Sequence, residues 1–453
     1  MDGKQLRQLM PELDMFLQGY LPLFGRPENH VHAERFVHGL LGGQERRNTE
    51  NLAEAVDGGV VRTMQKFVAQ GCWDSADVLD ELRRHSADTL GEPEGTINVD
   101  ETGFPKKGTK SVGVKRQYSG TLGRVDNCQV GVFANYCSSK GHTLIDRRLF
   151  LPEEWGEDDE RREEAGVPEG VVFRTKPELA LEMVQTAVTQ QLPFRWVGGD
   201  SVYGDSPTFV QCMRDLGKWY VLDTSSEARV WLRKPRRHKV GKSGRGRPRK
   251  HAKAISKPIS VAEAAAKLPR SDFTRITVSE GSQGPIVYEY AELTVWFSEE
   301  GYPADQSERL LVRRSLGQEP ELKYHRSNSP AEIPLKRLAT QRSCRWTIEQ
   351  DIQAAKGQSG LDEYETRGWI GWHHHTALSM LALFFLVLQN LRMGEKRAAN
   401  DGTRSSRHSS APTKTPSVGR RRNRRLEQLA NGTKSSRKVL SRATSPRRAV
   451  AAK

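Results

Sequence analysis

The sequence predicts an α/β protein: a sheet that carries a site along one edge, preceded by a helical region and interrupted by a β-rich insertion. Two observations predict it. Between residues 91 and 230 the periodicities run strand, strand, strand, helix, strand, and two of those strands end in aspartate, at TINVD (96–100) and WVGGD (196–200). Length agrees, since 453 residues make two to three domains at roughly 150 residues each. Such a chain buries a core without disulfides or a structural metal.

Residues 1–90 read as helical. Leu6, Leu9, Leu13 and Phe16 fall at helical spacing, as do Val60, Val61, Met64, Phe67 and Val68. GEPEG (91–95) is a linker, and TINVD then forms a short buried strand ending in the polar turn TGFPKKG. QVGVFANYC (129–137) alternates like a strand, and so does the segment from Thr143 to Leu149. A charged loop (153–170), a helix near Pro177 to Gln191 and the strand FRWVGGD follow, which completes a segment at 91–230.

Residues 231–334 read as a basic linker and insertion. RKPRRHKVGKSGRGRPRKHAK (233–253) is too polar for a core, and ITV, IVYEYAELTVWF and RLLVRRSL alternate like strands between 270 and 315. A long helix beginning near Leu335 or Arg342 runs to Lys356, and an apolar helix spans His374 to Leu391, making a last folded segment at 335–394. The Ser/Thr/Arg-rich residues 395–453 read as a disordered basic tail.

Charge is strongly segregated. The formal net charge is +15, yet residues 395–453 hold 17 Lys and Arg against 3 Asp and Glu. Residues 233–257 hold 12 more and no acid, so the remaining chain is net acidic. Basicity packed into two segments suits arms that run along a phosphate backbone. The five cysteines form no Cys-x-x-Cys pair and are odd in number, which argues against a disulfide framework or a zinc site and for a reducing, cytoplasmic setting. The N-terminus lacks the basic-then-apolar pattern of a signal peptide, and the run Met380 to Leu388 is far short of a membrane span. A soluble nucleic-acid protein with no membrane association is expected.

Three acids stand out by context. Asp100 and Asp200 end strands, and Glu349 lies in the helical segment SCRWTIEQDIQAAKGQ. Phosphodiester chemistry by two hard cations needs carboxylates from separate elements converging on Mg²⁺. Arg345, Glu349 and Lys356, four and seven residues apart, share one helix face. A carboxylate flanked by two cations on one stripe suits a metal ligand beside phosphate contacts. The bland alternative is a surface i,i+4 pair and two acids among 56.

Four blocks sharpen the reading: DETGFPKKGTKSVGVKRQYSGTLGRVDNCQVGV (100–132), VVFRTKPELALEM (171–183), FRWVGGDSVYGD (194–205) and RWTIEQDIQAAKGQSGLDEYETRGWIGWHHHTALSMLAL (345–383). They resemble DDE-type bacterial transposases of the insertion sequence 701 family, within the broader insertion sequence 4-like group. The resemblance covers nearly all of residues 1–393. It implies a ribonuclease-H-like core with a β-rich insertion before the last acid, and the 149 positions from Asp200 to Glu349 leave room for one. It implies Asp100, Asp200 and Glu349 as the catalytic, metal-binding triad, with two Mg²⁺ as cofactors and Mn²⁺ as a substitute. The wider group's signature Tyr-x2-Arg-x3-Glu-x6-Lys is met by Arg345, Glu349 and Lys356, while Arg342 stands at the tyrosine position. Where the family commonly has Asp-Asp-Thr, this chain has Asp100-Glu101-Thr102. Glu101 reads as supporting or solvated rather than as an auxiliary ligand.

Further residues are expected on the DNA. Lys106, Lys107, Lys110, Lys115 and Arg116 follow the first acid. GRGRPRK (244–250), with Arg245, Arg247 and Arg249, resembles an AT-hook for a narrow A·T minor groove, or else is a solvated linker. His373, His374 and His375 cannot all face one ion from a helix, and Mg²⁺ prefers oxygen; they read as lying near phosphate or capping the last helix. Trp346, Trp369 and Trp372 are core, or stack an unpaired base.

The function expected is that of a cut-and-paste DNA transposase. It would bind double-stranded DNA, at the terminal inverted repeats and at the target, through the N-terminal helices and basic arms. Two ends cut in concert require at least a homodimer on DNA. The alternative from another class is a domesticated, non-catalytic DNA-binding regulator on the same scaffold.

Overall fold

The computed structural model describes residues 3–120, 122–238, 253–281 and 284–408. Residues 1–397 cluster as one compact unit and 398–453 as another, of which only the end of the last helix is described.

Five helices open the chain: α1 (Gly3–Gln18), α2 (Pro27–Leu41), α3 (Thr49–Ala55), α4 (Val61–Gln70) and α5 (Ser75–Leu90). Their starts are set locally. Asn48 and Asp74 cap α3 and α5 by accepting backbone N–H groups of Asn51 and Ala76. Of the apolar stripes predicted from spacing, Leu13, Met64, Phe67 and Val68 are buried and Leu9, Phe16 and Val61 part-buried, while Val60, just ahead of α4, is exposed.

Ten to fourteen residues of strand follow where the sequence suggests fewer. β1 (Thr96–Pro105) does not end at Asp100. It pairs along its whole length with β3 (Arg124–Cys137), from Thr96↔Cys137 to Pro105↔Cys128, and this ladder satisfies backbone groups that the polar sequence TGFP would otherwise leave to a turn. A hairpin strand, β2 (Lys115–Ser119), pairs with the first part of β3, and β4 (His142–Phe150) pairs with the rest. Short helices α6 (Glu153–Gly156) and α7 (Asp159–Glu164) occupy the acidic loop. Helix α8 (Lys176–Thr189) begins at a capping box between Thr175 and Glu178, with Pro177 in its first turn. It returns the chain to β5 (Trp196–Gly199), which lies parallel to β1. Then α9 (Ser201–Gly204) and α10 (Pro207–Asp215) lead to β6 (Trp219–Thr224), parallel to β5. The central order is therefore β4-β3-β1-β5-β6.

The insertion is joined to that sheet. β7 (Arg229–Trp231), β8 (Ile259–Ser260), α11 (Val261–Ala265), β9 (Thr274–Gly281), β10 (Gly284–Glu299), β11 (Tyr302–Pro303), β12 (Glu308–Arg314) and β13 (Leu322–Ser327) continue the chain. β13 pairs antiparallel with β6, so among the described residues the strands form one sheet of 13.

The long helix expected to begin near Leu335 or Arg342 is two, α12 (Leu335–Cys344) and α13 (Trp346–Ser359), broken at Arg345. There the hydrogen bonds tighten to the i→i+3 pattern, from Arg345 N to Arg342 O and from Ile348 N to Arg345 O. The last helix, α14 (Trp369–His408), starts before His374 and runs through the first residues of the expected tail; residues from 409 on lie outside the described ones. Its part Trp369–Met393 is long and apolar enough to cross a bilayer, contrary to the reading of Met380 to Leu388 alone, but 72% of its most apolar window is buried in the protein. Phe384 and Phe385 on it pack against Phe16 of α1, and Phe384 against His85 of α5. A fully buried side chain of this size contributes ~1.5–3 kcal/mol, so α14 is a core helix that the N-terminal helices cover.

Candidate active site

Alternate residues of a strand share a face, and β1 turns Asn98, Asp100 and Thr102 toward the α12–α13 segment. Asn98 Nδ2 donates to the carbonyl of Cys344 at 3.2 Å. Asp100 Oδ2 accepts from Arg345 Nη1 at 2.9 Å. Thr102 Oγ1 accepts from Lys356 Nζ at 2.8 Å. Glu101, between them, engages other partners: Lys176 Nζ at 2.7 Å and the Tyr203 hydroxyl at 2.9 Å. Arg345 reaches further and also donates through Nη2 to the Glu349 carboxylate.

Asp200 follows β5 and caps α9, accepting from Val202 N at 2.9 Å. The β1–β5 ladder stops at Asn98↔Gly198, so Asp100 and Asp200 lie just past the end of the paired region, at the carboxyl side where crevices form in such sheets. Close approach is possible because Gly198 has no side chain; a Cβ there would lie 2.3 Å from Asn98 Oδ1. Gly204 does the same for α9 on β6, where a Cβ would lie 1.9 Å from the carbonyl of Asp223.

The two aspartates feel one another. Burial raises Asp100 to about 7, with Asp200 and Glu101 adding to the rise and Arg345 opposing it. Burial raises Asp200 to about 6, with Glu101 and Asp223 adding to it. Their ionised forms therefore lack enough positive charge. Arg345 is the cation between Asp100 and Glu349, and among the described residues no three His, Cys, Asp or Glu side chains stand close enough to hold an ion. The donor chemistry nonetheless fits a hard divalent cation: carboxylate oxygens from separate elements, two of them raised by unneutralised burial.

Beneath these groups lies a polar layer that sequence reasoning missed. Asn98 Nδ2 donates to Asn135 Oδ1 at 2.9 Å, and Asn135 Nδ2 donates to Thr347 Oγ1 and Asp351 Oδ2, both at 2.8 Å. Asp351 also meets His142 Nδ1 at 2.7 Å. A second missed group surrounds Asp223 on β6. Its Oδ1 lies 2.8 Å from His325 Nδ1 and 2.6 Å from Arg342 Nε, and its Oδ2 accepts from Arg342 Nη2 at 3.0 Å. Burial alone would raise Asp223, but His325, Arg342 and Arg345 hold its carboxyl well below the usual range. WYVLDT carries the same signal as TINVD and WVGGD, a short apolar run with an aspartate near its carboxyl end.

The other expected contacts divide. Lys107 and Arg116 are exposed, and Lys115 and Lys110 are paired with Glu154 and Glu164 at 2.6 and 2.7 Å. Lys106 is engaged within the protein: its Nζ lies 3.5 Å from the centre of the Tyr364 ring and donates to the Tyr364 carbonyl, and burial lowers it to about 8. Arg245, Arg247 and Arg249 lie outside the described residues. His374 and His375 are buried and His373 part-buried, each held by backbone carbonyls. His374 is stacked on Trp73, with its two ring nitrogens each 2.9 Å from a carbonyl, of Val68 and of Trp73; His375 lies against the carbonyl of Gly360, and His373 against that of Trp369. Trp372 is buried and Trp346 is 58% exposed.

Residues 19–285 match the family model of the DDE superfamily endonucleases, more than half of the sequence, and the chain belongs to that superfamily. The matched range holds Asp100 and Asp200 and ends short of Glu349. More particularly, the chain is 28% identical over 235 residues to a probable transposase for insertion sequence element IS701 from Microchaete diplosiphon. That match takes in 50% of this chain and 57% of the relative, and the kinship expected from the sequence blocks stands. Among solved structures, a piggyBac transposase synaptic complex with hairpin DNA aligns over 82% of this chain and 68% of its own, with 11% identity and a TM-score of 0.38. The NurA nuclease of Sulfolobus solfataricus aligns over 61% of this chain and 86% of its own, with 8% identity and a TM-score of 0.24.

Proposed function

We propose that the protein is a DNA transposase that cuts at the ends of its element and joins them to target DNA, with Asp100, Asp200 and Glu349 as its catalytic carboxylates on a ribonuclease-H-like core. The observation that carries this reading is the double contact of Arg345 with Asp100 and Glu349, since it brings together groups 245 positions apart. The strand order β4-β3-β1-β5-β6, with two parallel crossovers through helices, supports the core assignment.

Asp100, Asp200 and Glu349 would hold two Mg²⁺, which supply Lewis-acid activation of phosphate and of the attacking oxygen when bound. The chain's own residues do the rest. β1 and α13 hold the first and third carboxylates on either side of Arg345, and the bond from Val202 N fixes the second. Arg345 and Lys356 flank Glu349 and offset charge on the scissile phosphate. Exposed Lys107 and Arg116 meet the backbone of double-stranded DNA. Hydrolysis at the element's end frees a 3′-hydroxyl. That hydroxyl then attacks a target phosphate, one phosphodiester breaking as another forms. Two ends cut together call for at least two protein copies on the DNA.

The test is labelled DNA from the flanks of the protein's own gene, with Mg²⁺ or with chelator, beside an Asp200→Ala control. Metal-dependent nicks at a matched pair of inverted repeats, absent in the variant, are expected. Specific binding without cutting under any divalent metal would overturn the reading in favour of a DNA-binding regulator.

A further inference from the structure

Arg345 has three donor positions, and the structure uses two. Nη1 bonds Asp100 and Nη2 bonds Glu349, but Nε–H is buried without a hydrogen-bond partner. A buried donor left unmade is costly enough to need an explanation. The acceptor facing it is Asp223 Oδ2, 3.9 Å from Nε and so just out of bonding range.

Asp223 is held where it is. It sits opposite His325 in the β6–β13 ladder, and Arg342 grips both of its oxygens. His325 and Arg342 Nε fill Oδ1, while Oδ2 takes only Arg342 Nη2 and so can still accept one more donor. Arg345, in contrast, lies at the break between α12 and α13. Its guanidinium occupies the position between Asp100 and Glu349 that a divalent cation would contest. Only 14% of its side chain is exposed, so a displaced guanidinium cannot simply move into water and needs an anion nearby.

We propose that Asp223 is a positioning residue for Arg345, receiving its Nε–H when a divalent cation takes Asp100 and Glu349, and thereby keeping the guanidinium beside the reacting phosphate. The proposal rests on the assignment of the carboxylates made above. It gives Arg342 a second purpose besides filling space: Arg342 and His325 immobilise Asp223, so a strand of the insertion helps to place a side chain of the catalytic helix.

Two variants separate positioning from simple charge balance. Asp223→Asn leaves Arg342 buried beside a neutral amide and is expected to lower the melting temperature. Asp223→Asn combined with Arg342→Met removes both charges and is expected to restore it. In the double variant, end cleavage should remain at least about tenfold slow at unchanged affinity for end DNA, and Ca²⁺ measured by calorimetry without DNA should bind about tenfold more weakly, the worth of one charge-assisted hydrogen bond. Wild-type cleavage and wild-type Ca²⁺ affinity in the double variant would show that Asp223 only neutralises Arg342, and the proposal falls. If the wild-type protein cuts no end DNA, the transposase reading fails, but the Ca²⁺ comparison still decides the role of Asp223. A wild-type protein that binds no Ca²⁺ overturns both.

Discussion

Asn135 on β3 donates to Asp351 on α13 at 2.8 Å, and through this bond the sheet seats the helix that carries Glu349. Asp351 is 3% exposed and shares its other oxygen with His142 of β4. The helix is thus pinned one half-turn from the carboxylate whose position matters. Asp351→Ala would leave one of the two Asn135 amide N–H groups without its acceptor, the other keeping Thr347, while His142, partly exposed, regains water. The expected loss of stability in urea is ~1–3 kcal/mol, together with a large drop in end cleavage. Unchanged stability would mean that the bond does not seat the helix.

Asp200 is expected to trade stability for function. Burial and Glu101 raise its carboxyl to about 6, so near neutral pH its charge works against the fold. Asn caps a helix about as well as Asp. Asp200→Asn should therefore melt a few degrees higher than wild type at pH 7.5 while cutting no DNA. The folded carboxyl is raised above its unfolded value, so its favourable contribution is complete below about pH 4 and is lost as pH rises through about 6. The variant's advantage should accordingly be full above pH 6 and vanish near pH 4. Added Mg²⁺ should raise the melting temperature of the wild type and not that of the variant. A variant that melts lower at pH 7.5 would contradict this account.

His374 makes an acid-labile contact. Burial lowers its imidazole to about 4, with Arg147 adding to the shift and the two backbone carbonyls opposing it. The unfolded chain takes up a proton near pH 6.5 that the folded one refuses until about 4. Stability from this site is present above pH 6.5 and is lost as pH falls toward 4. His374→Gln should melt lower than wild type at pH 7.5 but decline less steeply between pH 6.5 and 5. Parallel declines would show that His374 does not couple folding to pH.

The basic residues after Asp100 are not equivalent. Arg116→Ala and Lys107→Ala should each weaken DNA binding across sequences and reduce the salt slope of log K by about one. Lys106→Ala should leave that slope unchanged, because its ammonium is committed to Tyr364. Titration of DNA binding against salt separates the two cases, and an altered slope for Lys106→Ala would place it on the DNA after all.

Much of this was legible in the chain read as a string. The apolar stripe Met64, Phe67 and Val68 and the strand WVGG before Asp200 depend on neighbours a few positions away, and the structure keeps them. Arg345 and Glu349, four apart, do pair. Segregated charge is likewise a property of composition. What depended on distant partners was misread or missed. TGFP looks like a turn until β3 pairs with it, and the helix from Leu335 looks continuous until Arg345 is drawn toward Asp100. His374 and His375 read as lying near phosphate or capping the last helix until α14 is packed beneath the N-terminal helices. Asp223 could be weighed only when His325, Arg342 and Arg345 stood around it, since hydrogen bonds and ion pairs act over a few ångströms of space and take no account of how far apart along the chain their partners lie.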